Sequence, residues 1–220
     1  MWEPAQVFRR IVTLGLWDRS WIRIHYPALP SVGRFESKAF DPARWKPEYP
    51  NPAFMNARSD DSYWAAKIVM AFTDENIRAV VRTGGLSDPQ AEDYLVNTLI
   101  ERRDKIGRHY FSSVHSVDNF RLKGSNLEFE HLASLYGFSE SPGNRLAWFR
   151  FDNDRDEKHF VGTELISNEA AFPIPMDLRN DTSAYFGVDI QSEFGKVSVF
   201  IHRSASALTI VGIERTWNAQ

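Results

Sequence analysis

By type and spacing, the residues best arranged to bind something are Asp152-Asn153-Asp154-Arg155-Asp156-Glu157. Alternate acids suit the opening of a calcium loop, because a hard cation takes several oxygens from one tight turn. The pattern stops there. A twelve-residue calcium loop needs glycine where Glu157 stands and a bidentate glutamate where Thr163 stands. The expectation is therefore a solvated, charged inter-strand loop. A looser calcium site on Asp152, Asp154 and Asp156 at a sandwich edge is the alternative.

A second cluster, Arg102-Arg103-Asp104-Lys105, falls late in an apolar-periodic stretch. Cations there suit the negative end of a helix, which accounts for them without a ligand. Contact with a phosphate or an acidic partner is the functional alternative, and these four residues are the binding candidates. The six histidines are scattered, with no His-x-x-x-His pair for zinc. Gly-x-Ser-x-Gly and glycine-rich phosphate loops are both missing, and Gly84-Gly85 reads as a helix-terminating pair. Adjacent acids such as Asp60-Asp61 read as helix caps rather than a glycosidase pair. No catalytic, cofactor-binding or metal-binding set is expected.

Composition narrows the classes further. The 220 residues contain no cysteine, which removes disulfide frameworks, thiolate zinc sites and cysteine nucleophiles together. A net charge of -3 supplies no global basic field for nucleic acid. No apolar run approaches the roughly 20 residues of a membrane span, and Met1-Trp2-Glu3-Pro4 does not open a signal peptide. The expectation is a soluble protein without membrane insertion, cytoplasmic or periplasmic, with its oligomeric state left open.

The elements that must position these residues fall into three parts. Residues 1–57 hold seven of the 11 prolines and four of the seven tryptophans, so an extended arm is expected. Within it, Val7 to Leu14 can form one short helix before Gly15, and Trp21, Ile22 and Ile24 an extended piece ending at Pro27. Such an arm cannot build a core alone; it lies over its own helices or packs on another domain. Residues 58–114 read as a three-helix subdomain. Asp60 or Asp61 caps a helix whose stripe is Trp64, Ile68 and Phe72, with Tyr63 beside it. Thr73 opens a second helix bearing Ile77, Val80 and Val81, which Gly84 stops. Ser87-Asp88-Pro89 opens a third, with Leu95, Leu99, Ile106 and Tyr110 on its apolar side.

Residues 115–220 change period and read as an antiparallel β-domain. A hairpin turns at Lys123-Gly124-Ser125-Asn126. Alternating runs follow around Phe149, Val188, Val199 and Ile210, with turns at Gly195 and Ser204–Ser206. One-sided strands must bury their apolar face, so a small β-sandwich or a helix-backed sheet follows. The fold class is α+β.

Longer strings carry a resemblance. They include Phe40-Asp41-Pro42, Trp45-Lys46-Pro47, Tyr49-Pro50-Asn51-Pro52-Ala53-Phe54, Tyr63-Trp64-Ala65-Ala66-Lys67 and Val211-Gly212-Ile213-Glu214-Arg215-Thr216-Trp217. Over nearly its whole length the chain resembles the C-terminal region of large uncharacterised bacterial proteins whose upstream region is kinase-like. The resemblance implies helices that complete a kinase-like lobe, followed by a β-domain. No Asp-Phe-Gly, His-Arg-Asp or glycine-rich loop occurs here, so this chain alone should not transfer phosphoryl groups. The expected function is a non-catalytic accessory or interaction region, with the upstream kinase-like domain or a partner protein as its partner. The rival is an unrecognised enzyme or small-ligand-binding protein with a site at the helix–sheet junction.

Overall fold

A computed structural model describes residues 4–14, 24–45, 47, 49–140 and 143–217. The chain is α+β, with helices and two antiparallel sheets. It divides into two compact units, Met1–His109 and Tyr110–Gln220. Gly15, Trp21 and Ile22 lie outside the described residues, and residues 24–27 have no regular secondary structure. Among the described residues, no helix is long and apolar enough to cross a membrane.

The first unit contains helix α1 (Pro4–Val12) and the short α2 (Pro52–Met55), and residues 24–41 between them have no helix or strand. Helix α3 (Ser59–Met70) starts where Asp61 accepts the Arg58 amide at 2.9 Å. Helix α4 (Asp74–Arg82) starts on a reciprocal cap. The Thr73 hydroxyl accepts from the Asn76 amide at 3.2 Å, and Asn76 Oδ1 accepts from the Thr73 amide at 3.1 Å. Helix α5 (Pro89–Ser112) begins with its proline in the first turn, while Asp88 accepts the Gln90 amide at 2.9 Å.

Two helical expectations need correction. On α3 the buried residues are Tyr63, Ala66 and Met70, whereas Trp64 is 65% exposed and Ile68 and Phe72 are close to half exposed. Both sets have helical spacing, and the set containing Ala66 can bring its backbone closest to a neighbour. The stop after α4 also differs. The helix ends at Arg82, and Gly85 rather than Gly84 adopts the left-handed conformation, at φ 59°.

The second unit contains two sheets. Strands β1 (Val117–Lys123), β2 (Asn126–His131) and β5 (Ala171–Pro173) form one, in the order β1-β2-β5. The expected hairpin is present, with Lys123 paired to Asn126. Strands β3 (Asn144–Asp152), β4 (Glu157–Ser167), β6 (Tyr185–Ser192), β7 (Gly195–Arg203) and β8 (Leu208–Trp217) form the other, in the order β4-β3-β6-β7-β8. Short helices α6 (Leu132–Leu135) and α7 (Met176–Arg179) sit in the connections. Leu127, Phe129 and Phe172 of the smaller sheet share one core with Leu146, Trp148, Val188 and Val199 of the larger. The arrangement is sandwich-like. Arg215 of β8 joins the sheets by donating to Val117 O at 2.8 Å and pairing with Asp118 at 3.1 Å.

The centre of the larger sheet is buried on its second face as well. Phe149 lies opposite Gly187 on that face and is fully buried. A Cβ on Gly187 would stand 2.2 Å from Val199 O and 2.7 Å from Phe149 Cζ. The strand backbone therefore needs glycine here for space rather than for conformation. Gly187→Ala is expected to lower unfolding free energy by about 1–3 kcal/mol, the usual cost of overpacking, measured by chemical denaturation. An unchanged midpoint would mean that both the β7 backbone at Val199 and the Phe149 ring can move aside.

Candidate functional site

The binding candidates on α5 are committed to holding the arm and α4. Arg102 donates from Nε to Glu36 O at 2.7 Å, and its guanidinium lies 4.0 Å from the Phe35 ring centre and 4.7 Å from that of Phe40. Burial lowers its pKa, and the Glu36 carboxylate opposes that effect. Lys105 Nζ donates to Ser37 O at 2.6 Å, with Lys38 O and Phe40 O at 3.1 and 3.2 Å. Arg103 donates to Asp104 at 2.7 Å and to Phe72 O at 2.8 Å, and pairs with Asp74 at 2.7 Å. Burial works against its charge, but the bonds to Asp104 and Asp74 outweigh that and raise its pKa. The three cations thus act as clasps, with Asp104 as an acceptor for Arg103.

Hollows lie on either side of this seam. One is an apolar groove of ≈ 400 Å³, lined by Val69, Phe72, Ile77, Val80, Leu99 and Ile106 among others. The other is a more polar pocket of ≈ 630 Å³ between the arm and α5, where Glu36, Lys38, Tyr94, Asn97 and Glu101 converge. Much of its polarity is already used. Glu36 accepts the Ala39 amide at 2.8 Å, the Ser37 hydroxyl donates to Glu101, and the Tyr94 hydroxyl donates to Phe35 O at 3.1 Å.

The acidic turn after β3 is likewise committed locally. Asp152 Oδ1 accepts the Asp154 and Arg155 amides at 3.0 and 3.2 Å, an Asx-type turn that closes the β3–β4 hairpin. Among the described residues, no group of three or more histidine or acidic side chains is arranged to hold a metal ion.

One constellation was not legible as a site. Lys158 reaches from the edge strand β4 across β3 to Asp189 on β6 and Ser198 on β7, at 2.8 Å to each. Ser198 in turn donates to Asp189 at 2.7 Å, and Lys196 approaches the other carboxylate oxygen at 3.3 Å. The Lys158 ammonium also stands 4.5 Å from the Phe149 ring centre. A serine beside a lysine invites comparison with a Ser–Lys nucleophile, which needs a neutral amine. Here burial raises the Asp189 pKa, but the hydrogen bonds from Lys158 and Ser198 outweigh it and hold it below the usual carboxylate value. Ser198 accepts from Lys158 and donates to Asp189, so the three side chains are spent on one another and on holding β4, β6 and β7. The chemistry of the cluster is that of a clamp. Its sequence signal was an acid and a serine interrupting apolar strands at alternate positions.

Removing one member of a buried pair leaves the other uncompensated, so Asp189→Ala is expected to cost about 3 kcal/mol by denaturant titration. The double variant Lys158→Met/Asp189→Leu should recover most of that loss. Equal destabilisation in both would show that packing, not charge, is the larger effect.

His115 is a second buried polar group, fully enclosed, with both ring nitrogens unpartnered. Burial pushes its pKa down to about 3, with His131 and Arg215 adding repulsion. The unfolded chain protonates near 6.5 and the folded chain does not, so stability falls as pH drops from 6.5 towards 3. Between pH 6.5 and 5, before most carboxylates titrate, the loss approaches about 1.4 kcal/mol per pH unit. His115→Phe should flatten that slope in denaturation series run at several pH values, and an unaltered slope would place the acid sensitivity elsewhere.

No family model, curated protein or solved structure matches this chain.

Proposed function

We propose that the chain is a non-catalytic accessory or interaction region that serves a kinase-like domain of a bacterial protein. The observation that carries the reading is the large apolar surface left open on the first unit. On α3, Trp64 is 65% exposed and Ile68 lies beside it one turn on. On the arm, Trp45 meets Phe54 edge-to-face at 5.3 Å while both remain more than half exposed, and Tyr49 and Met55 are more exposed still. Open patches of large aromatics are what partner surfaces use as anchors. The three basic groups of the seam are instead turned onto Glu36 O, the 37–40 backbone, and Phe72 O with Asp74 and Asp104. The kinase-like identity of the partner rests on the sequence resemblance.

The second reading, small-ligand binding, draws on the ≈ 630 Å³ pocket between arm and α5. It is the weaker one, because Glu36, Ser37 and Tyr94 already bond within the unit.

The test starts from the reading frame upstream of Met1. A kinase-like sequence there, expressed and titrated calorimetrically against this chain, is expected to bind. Trp64→Asp should weaken that binding at least about tenfold, as loss of an aromatic anchor does. An unrelated upstream frame, or binding indifferent to Trp64→Asp, would sink the proposal.

A further inference from the structure

Strand β4 ends the larger sheet, so among the described residues its outer row of amides and carbonyls has no strand beside it. The strand at the other end, β8, is tied to β1 through Arg215. Charge or proline usually guards such an edge. The middle of β4 is apolar instead: Phe160 is 61% exposed, Leu165 47% and Ile166 70%. The nearest charges are engaged within the chain, Lys158 with Asp189 and Ser198, and Glu164 at 3.6 Å from Arg145.

Pairing with β3 assigns each of these side chains to a face. Phe160 lies opposite Phe149 and Ile166 opposite Arg145, which puts both on the face turned from the smaller sheet. Val161 lies opposite Trp148 and Leu165 opposite Leu146, which puts both on the side of the shared core. The four residues are symmetric about Thr163. When a second β4 runs antiparallel to the first with Thr163 facing Thr163, Phe160 meets the partner's Ile166 and Val161 meets the partner's Leu165, each twice. Apolar side chains then oppose apolar ones on both faces, and a slip of one residue undoes the match on both. Charge does not oppose this register, since Lys158 faces the partner's Asn168 and Glu164 the partner's Gly162.

A bulge fits the same centre. Residues 162–164 of β4 span the interval that Ala147 alone spans on β3, with Gly162 at φ 72°. Against a regular strand such a bulge would spoil the edge. Against its own copy about Thr163, the same three residues stand opposite one another and no register is lost.

We propose that two copies of this chain join edge to edge through β4, antiparallel about a two-fold axis at Thr163, which continues their larger sheets into one. The 11 residues of β4 extend about 36 Å at ~3.3 Å each. Over a depth of about 10 Å, two copies bury roughly 700 Å² before the overhanging Phe160 and Ile166 side chains are added. That lies near the roughly 1,000 Å² lower bound of specific interfaces, so the dimer is a reversible one. The inference goes beyond the proposed function, since it uses the second unit and neither Trp64 nor the arm.

The natural absence of cysteine makes the test direct, because a single cysteine on the axis can only link two chains. Full-length Thr163→Cys, altered at an exposed position, should form a covalent dimer under mild oxidation faster than Lys123→Cys, exposed at the β1–β2 turn. A mixture of His159→Cys and Ser167→Cys should join the two variants in excess of either self-pairing, which fixes the register. Sedimentation equilibrium should show a reversible dimer for the unaltered chain, weakened at least about tenfold by Ile166→Lys and unaffected by Trp64→Asp. The Trp64 variant separates this inference from the proposed function. Thr163→Cys linking no faster than Lys123→Cys would overturn the pairing. So would a dimer indifferent to Ile166→Lys, or one that Trp64→Asp dissolves.

Discussion

Strands β3, β6 and β7 are buried on both faces, and most of the second unit follows from that double burial. One face meets the smaller sheet through Leu146, Trp148, Val188 and Val199. Among the described residues no second sheet is paired with the other face, yet Phe149, Asp189, Ser198 and Phe200 on it are all buried. A strand covered on both sides cannot leave a charge unpaired, because desolvation would cost several kcal/mol. Hence Asp189 must have Lys158, Lys196 and Ser198 around it, and the edge strand β4 must run far enough to deliver Lys158. Hence, too, Gly187 must lack a side chain where Phe149 crosses it. Backbone close approach, ring packing and ion pairing at this spot are one arrangement.

The first unit solves a different problem. Its arm is rich in proline and has few backbone partners of its own, so residues 35–40 are held from outside by α5. Arg102, Lys105 and Tyr94 lie on that one helix and bond to carbonyls of Phe35, Glu36, Ser37, Lys38 and Phe40. Cationic side chains suit the task because they satisfy several carbonyls at once and stack on aromatic rings. The same economy leaves apolar surface over. Trp64 on α3, Val80 on α4, Phe8 and Ile11 on α1, and Trp45, Tyr49 and Phe54 stay largely exposed. A catalytic reading would need convergent, unsatisfied polar groups. In the first unit Glu36, Ser37, Tyr94 and Glu101 bond within the unit, and the surface left open carries large apolar side chains.

Several features were legible in the sequence because their causes are local. The α+β class, the caps at Thr73 and Asp88, the proline start of α5 and the hairpin at Lys123–Asn126 each depend on a few adjacent residues. The absence of thiolate chemistry and of phosphate loops was equally plain, since those need particular residue types at fixed spacing. Strand β4 was not foreseen. As an edge strand with most of its side chains exposed, it carries little hydrophobic alternation to read.

Long-range contact decided the rest. Helix α3 has two apolar stripes in its sequence, and only packing selected Tyr63, Ala66 and Met70 for the interior over Trp64, Ile68 and Phe72. The cluster at Arg102–Lys105 read as cations suited to a helix end, because its backbone acceptors lie 31 to 68 residues away in the chain. Lys158, Asp189 and Ser198 come together only once β3, β4, β6 and β7 have assembled in their order. Residue type and period determined which elements form and which chemistries are missing, because both are set within a turn or a strand. Which faces are buried, which charges are spent and which apolar surfaces stay open are properties of what lies opposite, and only the tertiary structure places anything there.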